Sequence, residues 1–278
     1  MLKSILSQVF LLSFYLIGPG LKAQEIIILD STSFKKILEQ IPSFTIHGDN
    51  YIISGTSIGQ NPTGDNSDAK LQFGFKQRIT NASLPWDTYL FFTYKQRSFW
   101  EIYKESLPFR ETNFNPGLGL VKPFFKNRKL NEIVMVQFEH ESNGRDLLYS
   151  RGWNFLSIYY MRYLNHYVTS GIKAWVPLGD KSDNEDITEY RGFTNIDFAF
   201  KVNNKVIVES EFRKAFSFDW RGSMIFGVSF KIAKKSNQYI YAQYFLGYSE
   251  DLINYNQNTQ KLRIGIAFKD LLLKFKHR

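Results

Sequence analysis

The 278-residue chain has no cysteine and only four histidines. The first absence excludes disulfide staples and thiolate metal sites. The second confines imidazole chemistry to His47, His140, His166 and His277. After the N-terminal residues, no apolar run approaches the roughly 20 residues that a spanning helix requires. Basic residues exceed acidic ones, 35 to 26, but they are scattered along alternating segments. Without a basic run or a basic helix, nucleic acid is excluded as the expected partner. What the chain has in excess is aromatic side chains: 26 Phe and 16 Tyr, with aromatics at 17%.

The N-terminus carries Lys3, an apolar stretch from Val9 to Ile17, and small residues leading to Ala23. This order reads as a secretory signal peptide, residues 1–23, leaving a mature chain of 24–278. The apolar stretch is too short for a spanning helix. A secreted chain without such a helix is either soluble or a β-barrel. The aromatic excess favours the barrel, because aromatic girdles mark both membrane interfaces. Residues 24–68 form a mixed N-terminal segment. Phe34, Ile37, Leu38 and Ile41 on one side predict a short helix over 33–41, stopped by Pro42. The run GQNPTGDNS, residues 59–67, reads as a loop.

From Ala69 onward the period is two. Leu71, Phe73 and Phe75 alternate with Lys70, Gln72 and Lys76. Met224, Phe226, Val228 and Phe230 alternate with small or polar residues, as do Leu262, Ile264, Ile266 and Phe268. Many such runs reach the roughly 9–11 residues of a tilted membrane strand, against about 5–6 in soluble proteins. About eleven strands follow Ala69. Single-chain bacterial barrels usually have an even number of strands, and Tyr51, Ile52 and Ile53 are strand formers, so another strand is expected near 50–56. The fold class is therefore all-β: a transmembrane antiparallel up-and-down barrel of twelve strands, residues 69–278 forming its main part, in the bacterial outer membrane. The acidic stretch 180–188 is expected to be a long external loop.

Only His140 among the histidines lies among reactive groups. Ser142 follows it by two positions, so the imidazole and hydroxyl share a strand face. Val134, Val136 and Phe138 have the same parity, which makes that face the lipid-facing one. A structural barrel gains nothing from polar residues there, whereas a lipid hydrolase needs its nucleophile where lipids are. A hairpin symmetric about Leu147 pairs Asn154 with His140, with Cβ atoms about 4.5–5.5 Å apart. The amide can then accept the ring N–H, fix the tautomer and leave the other nitrogen as base toward Ser142.

The segment HESNGRDLLYSRGWN, residues 140–154, closely resembles the signature of the outer-membrane phospholipase A family. So do ESLPFRETNFNP (105–116), YKQRS (94–98), DNEDIT (183–188) and GYSEDLINYN (247–256), in the family's order. The resemblance implies a twelve-stranded barrel that hydrolyses membrane phospholipid esters as a calcium-loaded homodimer. It implies His140, Ser142 and Asn154 as the triad and the Gly144 backbone N–H as an oxyanion donor. For Ca2+ it implies the Arg145 carbonyl, the Ser150 hydroxyl, Ser106 from a partner subunit, and Asp183. It also puts Gln96 on the dimer face, while Arg110 and Glu111 read equally well as an ordinary loop pair.

The chain departs from the family pattern in three places. Asp146-Leu147-Leu148-Tyr149 replaces a polar run, Gly152 stands where a serine is usual, and residues 274–278 run past the expected last strand. Two further classes of function compete with the lipid hydrolase: a catalytically silent channel or structural barrel, and a lipid acyltransferase sharing the same acyl-enzyme chemistry.

Overall fold

The structure, a computed structural model, describes residues 42–270 apart from 81, 128, 180–181, 215–218, 220 and 234–235. The expected signal peptide, the helix over 33–41 and His277 lie outside the described residues. Thirteen strands follow one another: β1 (Phe44–Ile46), β2 (Asn50–Ser57), β3 (Ser67–Arg78), β4 (Tyr89–Trp100), β5 (Phe109–Lys126), β6 (Lys129–Ser142), β7 (Gly152–Tyr163), β8 (Val168–Leu178), β9 (Thr194–Lys201), β10 (Val206–Lys214), β11 (Gly222–Lys231), β12 (Gln238–Gly247) and β13 (Thr259–Phe268).

Each strand from β2 onward pairs antiparallel with the next, and β13 returns to pair with β2 through Leu262↔Thr56 and Ile266↔Ile52. The result is a closed barrel of twelve strands, β2 to β13. Closure leaves no open edge, which a lipid environment demands. The short β1 is not a thirteenth stave. It pairs with β3 at Phe44↔Gln77, while β2 pairs further along the same edge at Tyr51↔Gln72. The two act as one strand interrupted at residues 47–49, where Gly48 takes a φ of +67° that side chains other than glycine's resist.

Polarity is inverted relative to a soluble protein. Ile264 is 59% exposed on the outer wall, as are Phe73, Leu118, Phe138 and Ile158 to similar extents, whereas Lys70 and Arg263 are 1% exposed inside. An apolar exterior over strands of 8 to 18 residues is what a bilayer solvates. Ion pairs cross the lumen. Arg263 reaches Asp68 at 2.6 Å and Glu250 at 2.6 Å, Lys70 reaches Glu250 at 3.0 Å, and Lys261 reaches Asp68 at 2.8 Å. Each buried charge thereby has a partner, which removes most of the cost of taking it out of water. At the inner end Lys269 bridges Asp49 and Glu209.

Two expectations change. The stretch over 180–188 is not all loop: a short helix, α1 (Ile187–Arg191), begins within it. Ile187 drives this by burying completely against Trp153, Phe155, Trp175 and Leu252 at the mouth of the lumen. Arg110 and Glu111 are likewise not a loop pair but part of β5. A bulge sets Trp100 opposite Phe109 and Phe99 opposite Glu111. Arg110 then reaches Asp251 at 3.1 Å, and Glu111 is buried.

Candidate active site

The site lies on the outer wall at the external end of β6 and β7. Residues of one parity on β6, Ile133, Gln137, Glu139 and Glu141, are buried in the lumen. Val136 and Phe138, of the other parity, are exposed, and His140 and Ser142 continue that face. Cross-strand register places Asn154 opposite His140 and Gly152 opposite Ser142. The His140 Nδ1 lies 2.9 Å from Asn154 Oδ1. Because an amide oxygen can only accept, this contact assigns the proton to Nδ1 and leaves Nε2 with its lone pair. Among the described residues no hydrogen bond joins the Ser142 hydroxyl to the imidazole. Such contacts often tighten only once substrate is bound.

At Gly152, one of the departures noted above, a Cβ would lie 3.5 Å from Ser142 Cβ and 3.9 Å from His140 Cε1, both ordinary contact distances. The space beside the hydroxyl would therefore accept a side chain there. Gly144 takes φ +64°, and a Cβ on it would come within 3.0 Å of the Phe114 ring. Both the backbone conformation and the close ring demand glycine, two residues beyond Ser142.

The supporting groups on the inner side were not apparent in sequence. Pro116 has no N–H to give the ladder, and β5–β6 pairing skips from Phe114↔Ser142 to Gly117↔Glu139. The Asn115 side-chain amide fills the gap by donating to the His140 carbonyl at 2.9 Å. Glu141 accepts from Trp153 Nε1 at 3.1 Å and pairs with Arg191 of α1 at 2.8 Å, so the residues alternating with the site are anchored in the lumen. Asn143, 4% exposed, organises the loop over 143–151. Its Oδ1 accepts from Arg151 N at 2.9 Å and Arg145 N at 3.3 Å, and its Nδ2 donates to the Tyr149 carbonyl at 2.8 Å. Asn184 Oδ1 accepts from Gly152 N at 2.9 Å. The only sequence signal for either was an asparagine inside a motif.

The residues expected at a metal are partly brought together. Ser150 Oγ donates to Asp183 Oδ2 at 2.6 Å. The Arg145 guanidinium turns inward, touching the Arg110 carbonyl and Glu111, the latter at 3.4 Å. Ser106 is exposed on the neighbouring β4–β5 loop, and no hydrogen bond joins it to Ser150 or Asp183 among the described residues. Among those residues no cluster of three His, Cys, Asp or Glu side chains could hold a metal. Gln96 lies in an outward polar ladder: Tyr94 donates to it at 2.8 Å, and it reaches Ser98 at 3.3 Å.

Two cavities, of about 150 and 410 Å³, lie in the lumen and are lined by Lys95, Arg97, Glu139 and Lys173. They lie on the other side of the wall from His140 and Ser142. The outward site is the one a lipid can reach.

Fold and polarity together define a transmembrane β-barrel of the outer-membrane type. The model of the Phospholipase A1 family matches residues 36–268, and the chain belongs to that family. It is 33% identical over 187 residues to Phospholipase A1 of Klebsiella pneumoniae, covering 64% of this chain and 62% of that one. A putative phospholipase A1 of Neisseria meningitidis serogroup B is 32% identical over 216 residues, covering 74% of this chain and 55% of its own. The aligned chain thus spans less than two thirds of the length of these relatives. In structure it resembles outer membrane phospholipase A from Escherichia coli, with TM-score 0.73 and 26% identity, over 83% of this chain and 100% of that one. The fold also matches a Salmonella typhi outer membrane phospholipase dimer with bound calcium, with TM-score 0.73 and 24% identity, over 84% of this chain and 96% of the other.

Proposed function

We propose that the protein is a calcium-dependent outer-membrane phospholipase, hydrolysing acyl esters of phospholipids and lysophospholipids with a Ser142–His140–Asn154 triad. The observation carrying this reading is the 2.9 Å His140–Asn154 contact on the lipid-facing wall, one strand step from Ser142. In this reading His140 Nε2 takes the Ser142 proton as the hydroxyl attacks the ester carbonyl. Asn154 holds the ring and its tautomer. The tetrahedral oxyanion forms near the Gly144 N–H, a donor aimed where charge develops. Collapse of this intermediate breaks the ester C–O bond and expels the lysophospholipid alcohol, which takes the proton from His140. The resulting acyl-enzyme is then hydrolysed by water whose proton passes to the same imidazole, and breakdown of that second intermediate releases the fatty acid and returns the proton to Ser142. A cleaved signal peptide over 1–23 belongs to this reading, as the route to the outer membrane.

The donor chemistry suits calcium, a hard ion that takes carboxylate, hydroxyl and carbonyl oxygens. Ser150 Oγ and Asp183 Oδ2 already converge to 2.6 Å, and the Arg145 carbonyl belongs to the same loop. Ser106 would complete the set from a second subunit, since it is exposed on the separate β4–β5 loop. When bound, the ion supplies positive charge beside the developing oxyanion. The polar pair of Tyr94 and Gln96 gives a two-fold partner something to meet on a largely apolar wall.

A silent channel is disfavoured by the lumen, whose external half is filled by the Asp68, Arg263, Glu250 and Lys70 cluster and by Ile187, Leu252 and Tyr255. The test is fatty-acid release from phospholipid mixed micelles with calcium or with chelator, for wild type and Ser142→Ala. The expected result is calcium-dependent release that Ser142→Ala abolishes while the barrel stays heat-modifiable. Near-wild-type release by Ser142→Ala would refute the triad. Transfer of the acyl group to an added acceptor lipid in place of release would identify an acyltransferase.

A further inference from the structure

The loop that follows Ser142 ends in three consecutive apolar residues that point away from the protein. Leu147 is 87% exposed, Leu148 88% and Tyr149 61%. They are not loosely held. A 3₁₀ turn over Leu147–Tyr149, with Leu147 at φ +51°, presents them. Asn143 bonds the Tyr149 carbonyl, and Arg151 bonds the Leu148 carbonyl at 3.1 Å. An ordered loop that displays three large apolar side chains to water is unfavourable unless something covers them.

What covers them is indicated by the rest of the rim. Among the described residues, the β8–β9 and β12–β13 loops turn Ile187, Leu252 and Tyr255 into the lumen. The β4–β5 loop, next to the site, instead exposes Tyr103 and Leu107. Among the described residues, apolar exposure at the external rim is greatest at this β6–β7 tip, with Ile58, Tyr103 and Leu107 exposed to lesser extents. Further down the same hairpin is its lipid-facing band, Val136 and Phe138 on β6, Leu156 and Ile158 on β7. The apolar tip and this apolar band belong to one hairpin, and the polar site lies between them with the exposed Arg145 and Asp146. In sequence, this Leu-Leu-Tyr tip stands where the family pattern is polar.

We propose that Leu147, Leu148 and Tyr149 insert among the acyl chains of the lipid surface beside Ser142. The tip acts as a local anchor that sets the depth of the nucleophile against the ester bonds, so these residues position the site and do not touch the reacting atoms. The proposal rests on the hydrolase reading for its purpose, but its test does not depend on turnover. The absence of cysteine makes a single introduced thiol unique. Leu148→Cys is spin-labelled in a Ser142→Ala protein and reconstituted, with chelator, into vesicles of phosphatidylethanolamine and phosphatidylglycerol. Glu185→Cys, on the exposed β8–β9 loop, serves as the aqueous reference.

The expected result is a Leu148 label accessible to oxygen and shielded from a water-soluble nickel chelate, with the Glu185 label the reverse. Equal nickel accessibility at both sites would overturn the proposal. So would protection at Leu148 that arises only with calcium and brings dipolar broadening between labels, because the occupant would then be a second copy of the chain. In the active protein, Leu147→Ser with Leu148→Ser should raise the apparent KM on vesicles at least about tenfold, from the lost apolar transfer. A loss confined to kcat would contradict an anchoring role.

Discussion

Removing Asn154 tests the division of labour within the site. In Asn154→Ala the strand ladder stays intact, because β6–β7 pairing at His140↔Asn154 is a backbone property. What is lost is one 2.9 Å contact to His140 Nδ1. That contact matters most when the ring becomes imidazolium in the transition state, and a hydrogen bond to a charged group contributes about 1.5–3 kcal/mol. At about 1.4 kcal/mol per tenfold, the expected fall in kcat is roughly 10- to 150-fold. Loss of a carboxylate orienter with the wrong tautomer costs about 10⁴, so a neutral amide should cost less. His140→Ala, which removes the base itself, should reduce turnover to background. Asn154→Asp keeps an acceptor oxygen and should retain more activity than Asn154→Ala. The assay is fatty-acid titration from saturating mixed micelles with calcium, alongside heat-modifiability to show that each barrel is folded. Equal and complete loss in Asn154→Ala and His140→Ala, both folded, would refute the reasoning. So would full activity in Asn154→Ala.

Calcium should shift the protein from monomer to dimer in detergent, with activity following the dimer fraction and Ser106→Ala weakening both, as sedimentation with parallel assays would read. Because most of the proposed donors are uncharged oxygens, the affinity should fall in the range of about 10⁻⁴–10⁻³ M. Arg263→Met should destabilise the barrel by about 3–5 kcal/mol, because Asp68 and Glu250 are left buried with fewer partners; denaturant titration measures this. Burial opposes ionisation of Glu250, but Arg263 and Lys70 outweigh it and hold its carboxyl well below the usual carboxylate range. Its contribution is therefore present above the unfolded pKa of about 4.3 and lost as pH falls through the folded value, and Glu250→Gln should flatten that acid limb. Gly144→Ala forces a side chain into φ +64°, at about 1–2 kcal/mol of backbone strain. Turnover should fall more than global stability, because the strain displaces the N–H two residues from Ser142.

Local pattern determined much of this protein. The pleat puts alternate side chains on opposite faces, so the period-two runs account for about eleven strands and put His140 and Ser142 on the outer wall; the twelfth strand rested on the even count usual in bacterial barrels and the strand formers Tyr51 to Ile53. A hairpin joins neighbours in sequence, so the pairing of Asn154 with His140 followed from the loop's symmetry. What the tertiary structure alone decided is contact between residues far apart in the chain. Arg263 and Asp68 are separated by 195 positions and Lys70 and Glu250 by 180; only closure of β13 onto β2 and the folding of the β12–β13 loop into the lumen bring them together. The same holds for Gly152 with Asn184 and Ile187 under Trp153, each set by loops converging over one mouth of the barrel. Periodicity reports which face a residue occupies. It carries no information about which distant loop will lie across that face, because that depends on the diameter and closure of the whole sheet.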